Sequence, residues 1–403
     1  GEGVRQSLNL IKKNIPLKMK VFKSGKKVFD WVIPKEWNIK KAYILDLKNK
    51  KKYADFNKNN LHIVGYSHPI NKIISLDELK KHIHTDKKNK NAIPYVTSYY
   101  KKTWGFCLSQ NQLKNIKNKK YKVVIDSSLK DGVMDYGETL IKGKSKKEIL
   151  FSCYICHPSM VNNELSGPVI SAALIHYTNS LKNKKYSYRF VFVPETIGSI
   201  AYISRNLKQL KKNVLAGFVI NCAGDCRDYS FVQTPLKNTF ADEIMNSSFI
   251  GLQKKSIYEF KDRSSDERQY CHAGVELPVC SYSRSKAGSK TYPEYHTSLD
   301  NFSVVTKNGL EGSFKIFKNI IDALEFAHFP KSKTICEPFL TKRNLYPTLS
   351  IKKNINSELK NLLDILSYSN GKRSVFQISI ILNLELKTCL QILKKLKKHN
   401  LIF

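Results

Sequence analysis

Three short segments of this chain carry the histidine and carboxylate side chains from which hydrolytic metal sites are built. His157 directly follows a strand-like apolar run at 149–155, and Glu164 lies seven residues further on. Glu195 follows a second apolar run, and His296 lies in an aromatic, turn-like segment. Two histidines and several carboxylates, without cysteine ligands, are the donors typical of hydrolytic rather than structural zinc sites. The pattern predicts a zinc centre with His157, Glu164 and His296 among its ligands.

The acids near these segments suggest the other parts of a catalytic site. Glu195 stands at the end of its strand, where a carboxylate can act as the general base that deprotonates the attacking water. Asp225 follows the next strand and is a further candidate metal ligand, while Asp300 is the expected orienter of His296. Asp266 could hold a substrate amine and is treated as a second catalytic residue. Substrate contacts are assigned to Arg268, Tyr292 and Tyr295.

Each of these residues also has an ordinary structural interpretation. Asn162 or Asn163 could cap the helix that follows, with Glu164 as a favourable first-turn charge. Glu195 could be an acid at a helix start, and the segment 265–268 could be a surface turn. The order and spacing of the segments along the chain favour the metal site over these alternatives.

The residues before His157 also match a haem-attachment motif. Cys153, Cys156 and His157 have the spacing C-x-x-C-H. Haem attachment needs an accessible, flexible loop, whereas this motif lies in an apolar run that predicts a buried strand. The two cysteines would also point to opposite faces of an extended strand, which disfavours a redox pair. The zinc site is therefore favoured over both cysteine-based alternatives.

The elements that would position these residues follow from the periodicity of the apolar side chains. Near-continuous apolar runs at 149–155, 189–193 and 217–221 are typical of strands buried on both faces. Helix-like stretches lie between and after them, at 169–181, 200–210 and 310–326. Strands alternating with helices predict an α/β fold with a mostly parallel sheet flanked by helices. Such folds keep their ligands at the carboxyl ends of the strands.

Two further units differ from this α/β texture. Residues 31–138 form an inserted β-rich domain, with short strands predicted at 42–47, 61–66, 95–100 and 121–125. Three of its aromatic residues could cover the catalytic cleft: Tyr99, Tyr100 and Trp104. The α/β domain then comprises 1–30, beginning with a helix at 1–20, and 139–330. Residues 331–403 contain three short helices and a compact turn, which predict a winged helix.

The last predicted helix carries a run of basic residues. They are Lys387, Lys394, Lys395, Lys397 and Lys398. Such a helix could read a DNA major groove, or it could be the solvated face of a helix packed through its leucines. Because the helix contains no arginine, packing or oligomerisation is favoured over DNA binding.

Charge and composition narrow the class of protein. The formal net charge of the 403 residues is +36, but only 9 of the 69 basic residues are arginine, which base readout and phosphate clamps prefer. Nucleic acid is therefore disfavoured as a partner. No run of 18 apolar residues predicts a membrane helix, and nine irregularly spaced cysteines are typical of reduced thiols in a cytoplasmic protein. The expected partner is a small molecule or a short peptide, and a homo-oligomer is left open.

Four ordered segments resemble an aminopeptidase-like subfamily of the zinc exopeptidase superfamily: CHPSMVNNELSGP, PETIGSIAYISRN, SDERQY and YPEYHTSLDN. That subfamily is often described as polysaccharide-biosynthesis proteins, and has an inserted β domain and a C-terminal winged helix. The resemblance extends over essentially the whole chain. It implies zinc ligation by His157, by an acid just before Leu165 and by His296. It also implies that Glu195 is the general base and that Asp266 helps to hold the substrate amino group.

The chain departs from better-known members of that superfamily at three points. Asn163 stands where they carry an acid that bridges two metals, Thr196 replaces one of two paired glutamates, and Asn221 or Cys222 replaces a strand-end aspartate. These changes imply one zinc ion rather than two. The expected function is a zinc-dependent amide hydrolase acting on a small amine- or acylamino-bearing substrate in surface polysaccharide biosynthesis. The alternative is a catalytically decayed scaffold or regulator that binds DNA or a protein partner through its winged helix.

Overall fold

The computed structural model describes residues 1–345 and 353–403, which contain sixteen β-strands and eleven α-helices. The strands are β1 (Lys18–Lys23), β2 (Lys27–Val28), β3 (Trp31–Val32), β4 (Glu36–Asp46), β5 (Lys52–Tyr53), β6 (Ile70–Ser75), β7 (Ile83–His84), β8 (Phe106–Cys107), β9 (Lys120–Lys130), β10 (Val133–Ile141), β11 (Glu148–Tyr154), β12 (Ser187–Val193), β13 (Val214–Ile220), β14 (Ser230–Val232), β15 (Ser256–Tyr258) and β16 (Val279–Ser283). The helices are α1 (Glu2–Lys12), α2 (Leu76–Lys80), α3 (Gln110–Leu113), α4 (Ser166–Ser180), α5 (Ile197–Asn213), α6 (Phe240–Ser248), α7 (Glu267–Tyr270), α8 (Lys307–Ala327), α9 (Lys353–Tyr368), α10 (Val375–Leu382) and α11 (Leu386–Lys398).

Eight of these strands form one mixed sheet, in the spatial order β1, β10, β12, β11, β13, β16, β14 and β15. The four central strands run parallel to one another, while β10 and β14 flank them antiparallel. Every residue of β11 and β12 is buried, because helices cover both faces of the sheet. The predicted α/β class is therefore confirmed, and the parallel strands form the centre of the sheet.

Two apolar cores lie on the opposite faces of this sheet. On one face, Phe151 and Phe190 stack with their ring centroids 4.8 Å apart and pack against α4 and α8. On the other face, Leu150 and Val191 pack against α5. Successive residues of β11 alternate between the two cores, so the strand is held from both sides. The carboxyl ends of β11 and β12 are thereby fixed relative to each other.

The predicted helix at 1–20 is wrong beyond residue 12. The helix α1 ends at Lys12, and the sequence KMKVFK forms β1, which pairs antiparallel with β10 at the edge of the sheet. Pro16 lacks the backbone N–H that a continuing helix would need. The alternating lysines of β1 suit an edge strand, because their charges oppose pairing with a second chain.

A second sheet is formed within the β-rich segment by antiparallel strands in the order β5, β4, β9 and β6. The strands predicted at 42–47 and 121–125 fall in β4 and β9. The strands predicted at 61–66 and 95–100 are wrong, since 60–62 form a 3-10 turn and 95–100 contain an isolated bridge from Thr97 to Gly65. Their apolar residues are buried in a separate small cluster with Cys107 and Met160, so burial here does not require a sheet.

The C-terminal segment contains α9, α10 and α11, in agreement with the three predicted helices. Leu390 and Leu393 of α11 belong to the same apolar core as Phe317 of α8. The ammonium groups of Lys394 and Lys397 lie 5.8 and 5.3 Å from the ring centroid of Phe326, also on α8. Among the described helices no single one is long and apolar enough to cross a membrane, and the bent pair of α10 and α11 meets that test by length and composition only. The helix α11 is therefore packed onto the α/β unit through both its leucines and its lysines.

A buried ion network joins β10, β11 and β12 at the end of the sheet where β11 and β12 begin. The guanidinium of Arg189 donates to Glu148 at 2.6 Å from Nε and 2.9 Å from Nη2, and also to Glu138. The three residues are 2–6% exposed. Tyr202 donates a further hydrogen bond to Glu138. Because water is excluded, each of these charges depends on its partners for stabilisation.

Candidate metal centre and active site

His157 is the centre of the group of histidines and carboxylates. It follows β11, and its Nδ1 lies 2.9 Å from Oε2 of Glu164, which precedes α4. Its Nε2 lies 3.4 Å from Oε2 of Glu195, which follows β12. The parallel pairing of β11 and β12 brings these two strand ends together. The predicted meeting of His157, Glu164 and Glu195 at one edge of the sheet is thus present in the structure.

Glu164 is bound to the protein through both of its carboxylate oxygens. Oε1 accepts the backbone N–H of Cys156, and Oε2 contacts Nδ1 of His157. A carboxylate on Nδ1 fixes the imidazole so that Nε2 presents its lone pair on the other side. The geometry therefore favours Glu164 as the residue that orients His157, and it makes Nε2 the nitrogen available to a metal.

The charge state of His157 depends on its neighbours. Burial lowers its pKa, but the contacts with Cys156 and Glu164 outweigh burial and raise that pKa well above its ordinary value. Without a metal the imidazole is therefore held in its charged form. Since a metal binds only the neutral ring, its binding must release a proton from His157.

His296 presents a second imidazole to the same space. Its ring centroid lies 5.2 Å from that of His157, and its ring stacks on Tyr295 at 3.9 Å. Burial, followed by the charge of His157, lowers the pKa of His296 to about 3, so the ring is neutral. Its Nε2 is buried without a hydrogen-bond partner. A buried polar atom of this kind is costly unless something binds it, and a neutral imidazole nitrogen is a preferred zinc ligand. The residues present therefore fit a zinc ion.

Glu195 is carried by a strained turn. The backbone N–H of Ile197 donates to the carbonyl of Glu195 at 2.8 Å, and Thr196 between them has φ 62° and ψ −78°. These angles correspond to the rare, strained form of the γ-turn and are unfavourable for a β-branched residue. Such strain persists where surrounding contacts impose it, and it is typical of functional sites. Burial raises the pKa of Glu195 although His157 and Arg268 oppose that rise, which suits a proton acceptor working near neutral pH.

Asp266 and Arg268 hold this turn in place. Oδ1 of Asp266 accepts the backbone N–H of Thr196 and the hydroxyl of Ser199, both at 2.8 Å. Nη2 of Arg268 donates to Oγ1 of Thr196 at 2.5 Å. Burial, followed by the charge of Glu195, raises the pKa of Asp266 to about 7. Asp266 is fully buried, so the structure gives it a positioning contact with the catalytic turn rather than an open face towards a substrate amine.

Asp225 is not brought into the group around His157. Oδ1 accepts the backbone N–H of Arg227 and the hydroxyl of Ser285, and Oδ2 accepts from Asn162 and from the backbone of Ser285. Four hydrogen bonds to a fully buried carboxylate give it a structural role between two loops. The ligand set that we propose below therefore leaves Asp225 out.

The aromatic residues predicted to contact substrate have different surroundings. Tyr292 is buried and donates to Asp300 at 2.7 Å, whereas Tyr295 is half-buried and stacks on His296. Asp300 also accepts the backbone N–H groups of Asn162 and Asn163, both at 2.8 Å. Asp300 therefore fixes the loop before α4, and it was expected instead to orient His296. Tyr295 is the one of the two tyrosines that reaches the imidazole pair.

Two residues at this site were not predicted from the sequence. Tyr95 places the edge of its ring between the two imidazoles, with centroid distances of 5.0 Å to His157 and 5.1 Å to His296. Sγ of Cys156 lies 3.4 Å from Nδ1 of His157 and accepts the backbone N–H of Glu195 at 3.3 Å. Cys156 could have been found because it precedes His157 directly. Tyr95 carries no local signal, since it reaches the site through a loop contact with residues 200 positions away.

The fold and this grouping at the strand ends define the class of protein: it is aminopeptidase-like, with a zinc-exopeptidase-like sheet. A zinc aminopeptidase from Bacillus subtilis has a similar structure, at a TM-score of 0.55 and 12% identity, covering 79% of this chain and 88% of that one. At this identity the likeness concerns the fold alone.

The chain belongs to the family described as a domain of unknown function, DUF4910, whose model matches residues 1–327. A winged helix-turn-helix model matches residues 328–403, which confirms the predicted winged helix. A Clostridium acetobutylicum protein, provisionally named as a polysaccharide biosynthesis protein with an aminopeptidase-like domain, is 42% identical over 94% of this chain and 86% of its own length. A crystal structure from the same species, provisionally described as a peptidase, has a TM-score of 0.89 at 39% identity, covering 100% of this chain and 92% of that one.

Proposed function

We propose that this protein is a zinc-dependent amide hydrolase that acts on a small amine- or acylamino-bearing substrate in polysaccharide biosynthesis. The aminopeptidase-like fold supports the reaction class, and the name of the Clostridium acetobutylicum relative supports the biological setting. The observation that carries the proposal is the pair of buried imidazoles, His157 and His296, beside the carboxylate of Glu195. The Nε2 atom of His296 has no partner within the protein, and Nε2 of His157 faces Glu195.

The proposed ligands of one zinc ion are Nε2 of His157 and the imidazole of His296. When bound, zinc supplies Lewis acidity toward a carbonyl and lowers the pKa of a bound water to about 7. Glu164 keeps Nδ1 of His157 occupied, so the ring cannot turn away. Glu195 takes a proton from the attacking water on its carboxylate and passes it to the leaving nitrogen. Tyr95 and Tyr295 enclose the imidazoles and limit the entry of water.

Metal analysis of protein purified without chelator tests the ligands. We expect about one zinc ion per chain in the wild type, and loss of that zinc in His157→Ala and in His296→Ala, because each change removes a nitrogen donor. His272→Ala is the matched control, since His272 is exposed. A wild-type protein that takes up no zinc after the metal is added back would overturn the proposed site.

A decayed scaffold is the second candidate, and the observation in its favour is the absence of acids at Asn163 and Thr196. In this alternative the winged helix would bind DNA or a protein. The packing of Lys394 and Lys397 over Phe326 weakens the case for DNA, because these lysines are engaged within the chain. A salt-dependent mobility shift with duplex DNA at near-physiological ionic strength would support the scaffold. Its absence, together with bound zinc, would support the hydrolase.

A further inference from the structure

We propose that Arg268 binds a carboxylate on the leaving side of the substrate, so that the substrate is an N-acylated amino acid rather than a peptide with a free amino terminus. This inference rests on the proposed function, because it concerns the same site. It reverses the sign of the substrate charge that was expected from the sequence.

Arg268 is fixed beside the proposed base. Its Nη2 donates to Oγ1 of Thr196, the residue that follows Glu195. After that of His157, its charge is the next to act on the carboxyl group of Glu195. Glu195 delivers its proton to the leaving nitrogen, so a cation beside it lies near the group carried by that nitrogen.

The guanidinium of Arg268 has unused capacity for an anion. In the described part of the chain, the arginines with a carboxylate oxygen within 4.0 Å are Arg5, Arg189 and Arg227. Arg268 is half-buried without such a partner, and its Nε has no hydrogen-bond acceptor. A partly desolvated cation without a counter-ion is unfavourable, and a guanidinium matches the two oxygens of a carboxylate.

The acids nearby cannot serve a substrate ammonium group. Asp266 is fully buried, with Oδ1 engaged by Thr196 and Ser199. Glu267 is also fully buried, and its Oε1 accepts the backbone N–H groups of two serines in the preceding turn. An aminopeptidase must neutralise the free amino group of its substrate, and here the charge that is only half-buried is positive. The net charge of +36 would also attract an anionic substrate to the protein.

Calorimetric titration of the zinc-loaded protein with N-acetylalanine and with N-acetylalanine amide tests the proposal. The two compounds differ by the carboxylate alone. We expect the acid to bind about 10- to 100-fold more tightly, as a charge-assisted hydrogen-bonded pair predicts. In Arg268→Met this preference should disappear while the affinity for the amide is kept. In Arg268→Lys, which retains the charge but loses the planar fork, part of the preference should remain.

Arg263→Met is the control, because Arg263 lies five residues away with its guanidinium over Phe260, and it should keep the full preference. Equal affinity for acid and amide, no binding of either, or a preference that survives in Arg268→Met would each overturn the inference. Zinc content is measured on the same samples. Zinc present without an acid preference rejects this inference alone, whereas absence of zinc in the wild type rejects the proposed function itself.

Discussion

Replacing Glu195 with glutamine is expected to lower kcat/KM by about 10²- to 10⁴-fold while leaving the zinc content unchanged. Glutamine fills nearly the same space, but its amide cannot accept a proton from the attacking water. The side chain lies 3.4 Å from Nε2 of His157, so it is close to the proposed metal without being one of the proposed ligands. Turnover of an amide that the wild type hydrolyses, measured beside zinc analysis, separates the two effects.

Glu311→Gln is the matched control for this experiment. Glu311 lies on the exposed side of α8 and pairs with lysines, so its loss should leave turnover at the wild-type level. Wild-type turnover in Glu195→Gln would show that another group is the base. Loss of zinc together with turnover would instead make Glu195 a ligand.

Replacing Arg189 with methionine is expected to destabilise the protein by about 3–5 kcal/mol. The change removes the cation that Glu148 and Glu138 share inside the sheet, and it leaves their buried carboxylates with too few partners. The loss of free energy comes from unpaired charge more than from lost packing, because methionine is similar in length. Urea denaturation, with the free energy of unfolding compared between variant and wild type, measures this effect.

Two further variants identify the origin of that loss. Lys81→Met breaks an exposed ion pair with Glu78 and should change the free energy of unfolding by no more than about 1 kcal/mol. Combining Arg189→Met with Glu148→Gln and Glu138→Gln removes the buried charges together, and should recover part of the stability. A triple variant that is less stable than Arg189→Met alone would contradict this explanation.

The parts of the site that could be predicted from the sequence lie directly after strands. His157 and Glu195 follow two apolar runs, and parallel pairing of those strands brings their ends to one edge. The role of Glu164 was harder to predict, because position alone places it near His157 but does not say which imidazole nitrogen it meets. Asp225 follows a strand as well, yet its oxygens are taken by four hydrogen bonds that only the folded loops supply.

The errors in the fold have a common physical origin. The segments at 61–66 and 95–100 contain apolar and aromatic residues that are buried by irregular packing, so their pattern imitates strands. The segment 18–23 was taken as helix because its lysines hide the alternation of an edge strand. The central strands and the three C-terminal helices were predictable, since their apolar patterns are long and uninterrupted.

The loop that carries Tyr95 makes the small β-rich sheet inseparable from the imidazole pair. The backbone N–H of Tyr95 donates to the carbonyl of His296 at 2.8 Å, and the N–H of Ser298 donates to the carbonyl of Ile93 at 2.9 Å. A homologue could not exchange this sheet as a cassette without releasing one histidine from its place. New specificities in this family must therefore arise by substitutions within the facing loops, with the two sheets evolving as one unit.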